Sequence, residues 1–180
     1  SIIQGIFLDY GSLLFYDATV GEVAFYAFFG DNFRLVKSYI GWQKTWHLII
    51  PGNFGNNVLT DLLFYDAVNG QAQFYKTSFV LDISPLGDLH VGWRKTWKLI
   101  IPGIFSDSKY TDLLFYDATN GEAEFYTTDG NGKISRLGNL HSGWRNTWDI
   151  VIAGPFKGLI DNDELFFYVC NKIELKTPIV

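Results

Sequence analysis

The 180-residue chain has one cysteine, Cys170, and no methionine. A lone thiol excludes an internal disulfide and a cysteine-based zinc site. Cys170 ends the apolar run Phe166-Phe167-Tyr168-Val169-Cys170 and is expected to be a small core residue. The lack of methionine fits a removed initiator, a mature piece or a fragment of a larger protein. Charge is also scarce: 14 Lys+Arg stand against 19 Asp+Glu, a net charge of −5. No basic stretch exceeds a dipeptide, so phosphate neutralisation is weak and nucleic acid is not an expected partner. The longest apolar run, Val23 to Phe29, is too short to span a bilayer, and no membrane insertion is expected. Gly-x-Ser-x-Gly, Walker and dinucleotide-binding motifs are all missing.

What the chain has is aromatic residues in a strict repeat. There are 16 Phe, 10 Tyr and 6 Trp. Leu13-Leu14-Phe15-Tyr16-Asp17 recurs at Leu62–Asp66 and Leu113–Asp117, with a degraded copy at Leu165-Phe166-Phe167-Tyr168. Gly-Trp-x-x-Thr-Trp occurs at 41–46, 92–97 and 143–148, a spacing of 51 residues. Gly-x-Phe occurs at Gly5/Phe7, Gly52/Phe54, Gly103/Phe105 and Gly154/Phe156. Such a period suits β-blades or trefoil units.

Each unit reads as short strands. In the third, Asp112 to Asp117 is continuously apolar between its acidic ends, as for a strand buried on both faces. Asn120-Gly121 marks a hairpin turn, and Glu122 to Thr127 alternates polar with apolar. Asp129-Gly130-Asn131-Gly132 is a second turn, followed by strands over Ile134 to Leu140 and Trp148 to Ala153. The expected fold is all-β, a single β-propeller domain over 1–180. Four copies of two motifs favour four blades. Ile2-Ile3-x-Gly-x-Phe would then be a fourth-strand signal, and this N-terminal strand would close the last blade. The length is about 3.5 repeats, so a homodimeric seven- or eight-bladed ring is the second solution and a β-trefoil the third.

Ile49-Ile50-Pro51-Gly52-Asn53-Phe54-Gly55-Asn56-Asn57, followed by Thr60-Asp61-Leu62-Leu63-Phe64-Tyr65-Asp66, resembles an FG-GAP/VCBS-type repeat. The resemblance runs through the whole chain, and it also extends to tandem repeats of bacterial secreted proteins. It implies an integrin-like propeller and an extracellular or cell-surface setting. The family's calcium loop would fall on Asn53, Gly55, Asn57 and Asp61, on Ile104, Ser106, Ser108 and Asp112, and on Pro155, Lys157, Leu159 and Asp163. One carboxylate per loop is too few for a hard cation, so no metal or other cofactor is expected. The acidic cluster Asp161, Asp163 and Glu164 reads as a solvated loop.

Asp17, Asp66 and Asp117 end strands before turns, and His90 and His141 recur at equivalent places, where the first repeat has Tyr39. His47 is the third histidine. Residues repeated by symmetry are expected to be structural, so no enzyme activity is expected. Trp46, Trp97 and Trp148 begin apolar strands and should pack between blades. Trp42, Trp93 and Trp144 follow Gly and precede Gln43, Arg94 and Arg145. An indole beside a planar donor suits a sugar, with the ring on its apolar face and the donor on its hydroxyls. The same residues could equally serve blade packing, with Arg stacked on indole. The expected function is therefore a non-enzymatic, lectin-like module. Its candidate ligand residues are Trp42, Gln43, Trp93, Arg94, Trp144, Arg145, His90 and His141. A protein–protein scaffold, or an accessory domain of a secreted protein or toxin, is the alternative.

Overall fold

The computed structural model describes residues 1–7, 12–55, 58–156, 162–169 and the backbone of 172–176. Cys170, Asn57, Lys157, Leu159 and Asp161 lie outside the described residues. The described residues form fifteen strands in four antiparallel sheets and no helix. The chain divides into two compact units, Ser1–Lys95 and Thr96–Val180.

The first unit holds two sheets. Sheet one is β1 (Ile2–Gly5), β2 (Ser12–Asp17), β3 (Glu22–Phe29) and β4 (Asn32–Ile40), in that spatial order. Sheet two is β5 (Leu48–Gly52), β6 (Asp61–Asp66), β7 (Gln71–Thr77) and β8 (Ile83–Val91), again in chain order. The second unit holds sheet three, β9 (Leu99–Gly103), β10 (Asp112–Asp117), β11 (Glu122–Thr128) and β12 (Ile134–His141). Its other sheet, sheet four, is β13 (Ile150–Gly154), β14 (Glu164–Val169) and β15 (Lys172–Lys176).

The pairing corrects where a unit starts. Leu48–Gly52 pairs with Asp61–Asp66 immediately after it, so Ile-Ile-Pro-Gly is the first strand of the next sheet, not the fourth of the preceding one. The N-terminal strand behaves alike: Ile2 pairs with Phe15 and Ile3 with Leu14, which makes β1 the first strand of sheet one. It therefore does not complete the last sheet, as the sequence had suggested. The physical reason is local. A short connection closes an antiparallel pair at small entropic cost, and the Gly-x-Phe motif builds that connection. Phe54 and Phe105 fold back over Gly52 and Gly103, where a Cβ would come within 2.5 Å of the ring. Each ring then meets β7 Phe74 or β11 Phe125 edge-on, at 5.1 and 5.0 Å. Asp61 at the far end accepts from the backbone N–H of Phe54 at 3.1 Å and of Thr77 at 3.2 Å. Asp112 likewise accepts from Phe105 N–H at 2.9 Å and from the Ser106 hydroxyl at 2.8 Å. These carboxylates, on expected calcium-loop positions, tie strand ends together.

Strands β6 and β10 are buried at every position, as their unbroken apolar runs require. Strand β2, with the same sequence pattern, is buried only at alternate positions. The first unit's core joins Leu14, Tyr16, Val23 and Phe25 to Trp46, Leu62 and Phe64. The second unit's joins Ile101, Phe105, Leu114 and Tyr116 to Phe125, Trp148 and Phe167. Each such ring contributes roughly 1.5–3 kcal/mol by leaving water.

The turn after each Leu-Leu-Phe-Tyr-Asp strand ends in Gly21, Gly70 or Gly121, all at positive φ. A Cβ on Gly70 would also lie 2.6 Å from the carbonyl oxygen of Trp93. Gly92 has positive φ too, but open space around it. Gly70→Ala should therefore cost about 2–4 kcal/mol, strain plus clash, and Gly92→Ala only about 1 kcal/mol. Urea denaturation of both variants checks this, and equal losses would refute the packing assigned to Gly70.

Candidate binding site at the Gly-Trp straps

Each Gly-Trp-x-x-Thr-Trp segment is a strap between the last strand of one sheet and the first of the next. Three backbone bonds fix its entry: Trp42, Trp93 and Trp144 N–H donate to Gly21, Gly70 and Gly121 carbonyls at 3.0, 2.9 and 2.9 Å. The tyrosine of the sheet just completed holds the next residue. Tyr16 Oη donates to the Gln43 carbonyl at 2.7 Å, Tyr65 to the Arg94 carbonyl at 2.7 Å, and Tyr116 to the Arg145 carbonyl. The strap's threonine then caps an aspartate. Thr45 donates to Asp66 Oδ2 at 2.6 Å and Thr96 to Asp117 Oδ2 at 2.5 Å.

Asp66 accepts hydrogen bonds on both carboxylate oxygens. Burial opposes its ionisation, but Thr45, the backbone and side chain of Asn69, and Val68 N–H outweigh it and hold its carboxyl below the ordinary range. The Gln43 side-chain amide also donates to it. Asp112 shows the opposite balance. Burial dominates and pushes its carboxyl up, against hydrogen bonds from Ser106 and Phe105. Its Oδ1 is buried without a donor.

The tryptophans divide as their positions in the motif suggest, yet both sets pack. Trp46, Trp97 and Trp148 are buried. They lead into β5, β9 and β13 rather than ending a preceding sheet. Trp42, Trp93 and Trp144 are half-buried. Trp42 stacks on Phe64 at 5.0 Å and touches Tyr75 at 5.0 Å. Trp93 lies between Tyr65, at 6.2 Å, and His90, at 5.3 Å. Trp144 lies near Tyr116 and His141, both at 6.2 Å, and meets Phe167 at 5.2 Å. His90 and His141 also face Phe74 and Phe125 edge-on, at 5.7 and 5.4 Å. These histidines are therefore spacers between a strand's phenylalanine and the strap's indole. His47 is exposed, at the start of β5.

The arginine of the third strap reaches the second tryptophan of its motif: the Arg145 guanidinium lies 5.5 Å over the ring of Trp148. In the first strap, Trp42 and Gln43 line a cleft of about 260 Å³ with Ile40, Gly41, Trp46 and Tyr75. Sequence reasoning did not find Tyr75, Trp46 or Ile40 for this cleft. Tyr75 belongs to the second Phe-Tyr pair of the repeat, and its strand partner Leu62 carries the signal only once the register is known. The Nε1 of Trp46 is buried and has no hydrogen-bond acceptor.

Among the described residues, no group of three His, Cys, Asp or Glu side chains converges to hold a metal ion. Compared with models of known families and with curated proteins, the chain matches none.

Two outcomes test this geometry. Trp97→Ala should lose about 3–5 kcal/mol, as for a buried large aromatic. Trp93→Ala should lose about 1–2 kcal/mol, since half its surface is already in water. Chemical denaturation of both variants decides whether the straps have one buried and one shared ring.

Asp66 also dictates a pH response. Its folded carboxyl is more acidic than the unfolded one, near ~3.9, so its stabilisation is complete above that pH and is lost as pH falls through the folded value. Asp112 contributes with opposite sign, because its ionised form is disfavoured in the fold. Asp66→Asn should flatten the acid limb of the melting profile between about pH 5 and 2, and Asp112→Asn should steepen it. Thermal melts across that range would contradict the assignment if the two variants changed slope in the same direction.

Proposed function

We propose that this chain is a non-enzymatic binding module that takes a carbohydrate ring at the first Gly-Trp strap. The cleft at Ile40, Gly41, Trp42, Gln43, Trp46 and Tyr75 carries this reading. At about 260 Å³ it falls below the roughly 300–1,000 Å³ of drug-sized sites, which suits one sugar ring. Three aromatic side chains wall it, offering C–H faces of a pyranose an apolar surface. Gln43 contributes the polar group: its amide nitrogen is held by Asp66 and Thr45, leaving its side-chain oxygen as an acceptor for a hydroxyl. A fixed amide of this kind orients a ligand at small entropic cost. The equivalent straps carry Arg94 and Arg145 in place of Gln43, so the three would differ in ligand preference.

The architecture we infer is a β-propeller of FG-GAP/VCBS type, with each sheet as one blade. Four sheets of simple up-and-down order, three of them four-stranded, support it. An extracellular or cell-surface setting goes with that reading, since it rests on the same repeat. A protein–protein scaffold is the second reading, favoured by the exposed Phe28, Phe33, Leu35 and Ile40 on sheet one.

Ile40 gives the test. It lines the cleft yet is 83% exposed, so Ile40→Lys should leave the melting temperature unchanged while abolishing sugar binding. Glycan-array screening followed by calorimetric titration of the wild type and this variant checks both halves. Array binding that survives Ile40→Lys would remove the cleft as the site. Binding to a protein partner, indifferent to free sugars, would favour the scaffold.

A further inference from the structure

Sheets two and three carry the same tyrosine in different company. In β11, Tyr126 shares a face with Glu124 and pairs across the ladder with Arg136. The Tyr126 hydroxyl donates to Glu124 Oε2 at 2.5 Å, and Arg136 reaches Glu124 Oε1 at 3.6 Å. Phenol, carboxylate and guanidinium thus serve one another.

Tyr75 stands at the equivalent place of β7, with Leu62 opposite it as Leu113 is opposite Tyr126. Both polar partners differ. Gln73 takes the place of the glutamate, and Pro85 pairs with Tyr75 where Arg136 pairs with Tyr126. The Gln73 amide is turned to the backbone: Nε2 donates to the Phe74 and Gly87 carbonyls at 3.0 and 3.2 Å. Proline has no polar side chain to offer. The Tyr75 hydroxyl accordingly makes no hydrogen bond among the described residues.

The ring that carries this hydroxyl is nonetheless fixed. It lies 5.0 Å from Trp42 and 5.2 Å from Phe64, and it walls the cleft of the first strap. Burial pushes the phenol's pKa up, so the group stays protonated at neutral pH and can both donate and accept. A hydroxyl on a packed ring orients a ligand at small entropic cost.

Charge narrows the ligand. The residues lining the cleft, Ile40, Gly41, Trp42, Gln43, Trp46 and Tyr75, carry none. Behind Gln43 lies Asp66, which accepts from the Gln43 amide and is held ionised by its donors. An anionic ligand would give up its water here and meet no cation.

We propose that Tyr75 Oη is the second hydroxyl-reading group of this cleft, beside Gln43 Oε1, and that the cleft selects a neutral pyranose over its acidic counterpart. The inference rests on the carbohydrate reading of the cleft. Gln43 Oε1 only accepts, so it takes a proton from one sugar hydroxyl; Tyr75 Oη exchanges a hydrogen bond with another. In sheet three the same phenol is already engaged by Glu124, so this reader is particular to sheet two.

Calorimetric titration of the whole chain with the methyl glycosides of glucose, galactose and mannose, and with the three matching uronates, tests this. At least one neutral glycoside is expected to bind, with its uronate about tenfold weaker or more. Tyr75→Phe keeps the ring and removes only the hydroxyl. It should weaken the neutral sugar about three- to tenfold, the range of one hydrogen bond, with an unchanged melting temperature. Ile40→Lys reports on the cleft and Tyr75→Phe on the hydroxyl, so the two failures are separable. No neutral binding at about 50 mM sugar, or binding that survives Ile40→Lys, removes the sugar cleft and this proposal with it. Binding lost in Ile40→Lys but undiminished in Tyr75→Phe overturns the role of Tyr75 and leaves the cleft standing. Equal binding of a uronate overturns the selection for neutral sugars.

Discussion

The structure depends on one interaction: the half-turn in which a strap tryptophan donates its N–H to the glycine of a preceding hairpin as the chain passes on to the next sheet. That bond joins two things that antiparallel pairing alone would leave independent. Within a sheet, short connections and cross-strand pairs suffice. From one sheet to the next the chain runs through the strap. Its backbone is held by the finished sheet, through Gly21, Gly70 or Gly121 and through the tyrosine hydroxyls. Its side chains cover the phenylalanine of the following one. The glycine is obligatory because the strap's carbonyl occupies the space of its Cβ. Sequence motifs 21 to 23 residues apart are thereby one device.

The buried aspartates make that device conditional on charge. Asp66 closes a hairpin turn with one oxygen and receives the strap with the other. An ionised carboxylate with several donors is a strong organiser, whereas the same group with one unpaired oxygen is a burden. Asp112 illustrates the burden: one oxygen is satisfied by Phe105 and Ser106, and the other lies buried without a donor. Its counterpart in the second repeat, Asp61, takes the Phe54 N–H on one oxygen and the Thr77 N–H on the other, so equivalent carboxylates of the repeat differ in how they are served.

Much of this was legible beforehand, for identifiable reasons. The strands β10, β11 and β12 follow from an apolar run, a period of two and two glycine turns, and their bounds fall within a residue or so of expectation. The burial of Trp46 and Trp97 agrees with their alternation with Ile50 and Ile101, whereas Trp148 is buried although Ile150 and Ile152 are exposed and Val151 faces inward. What could not be read was which neighbour Ile-Ile-Pro-Gly pairs with. A repeat of 51 residues has no intrinsic starting point, and only the loop built by Phe54 and Asp61 fixes it. Nor could the sequence weigh exposure at Trp42 and Trp93. Their partners Phe64, Tyr75 and Tyr65 lie 22 to 33 residues away and meet them only through the register.

Symmetry finally tells where to look for what is individual in the molecule. A residue repeated between sheets and packed there is accounted for by packing, as the half-buried His90 and His141 are by the rings they separate. Departures from the repeat are different, because the fold does not require them. Gln43 in place of arginine lies at the cleft, and Phe15 lines a cavity of about 730 Å³. Strand β2 records that departure in its own burial, alternating where β6 and β10 are covered on both faces. Sheet one thus shares the register of the repeat with sheet two and differs from it in how its second strand is covered.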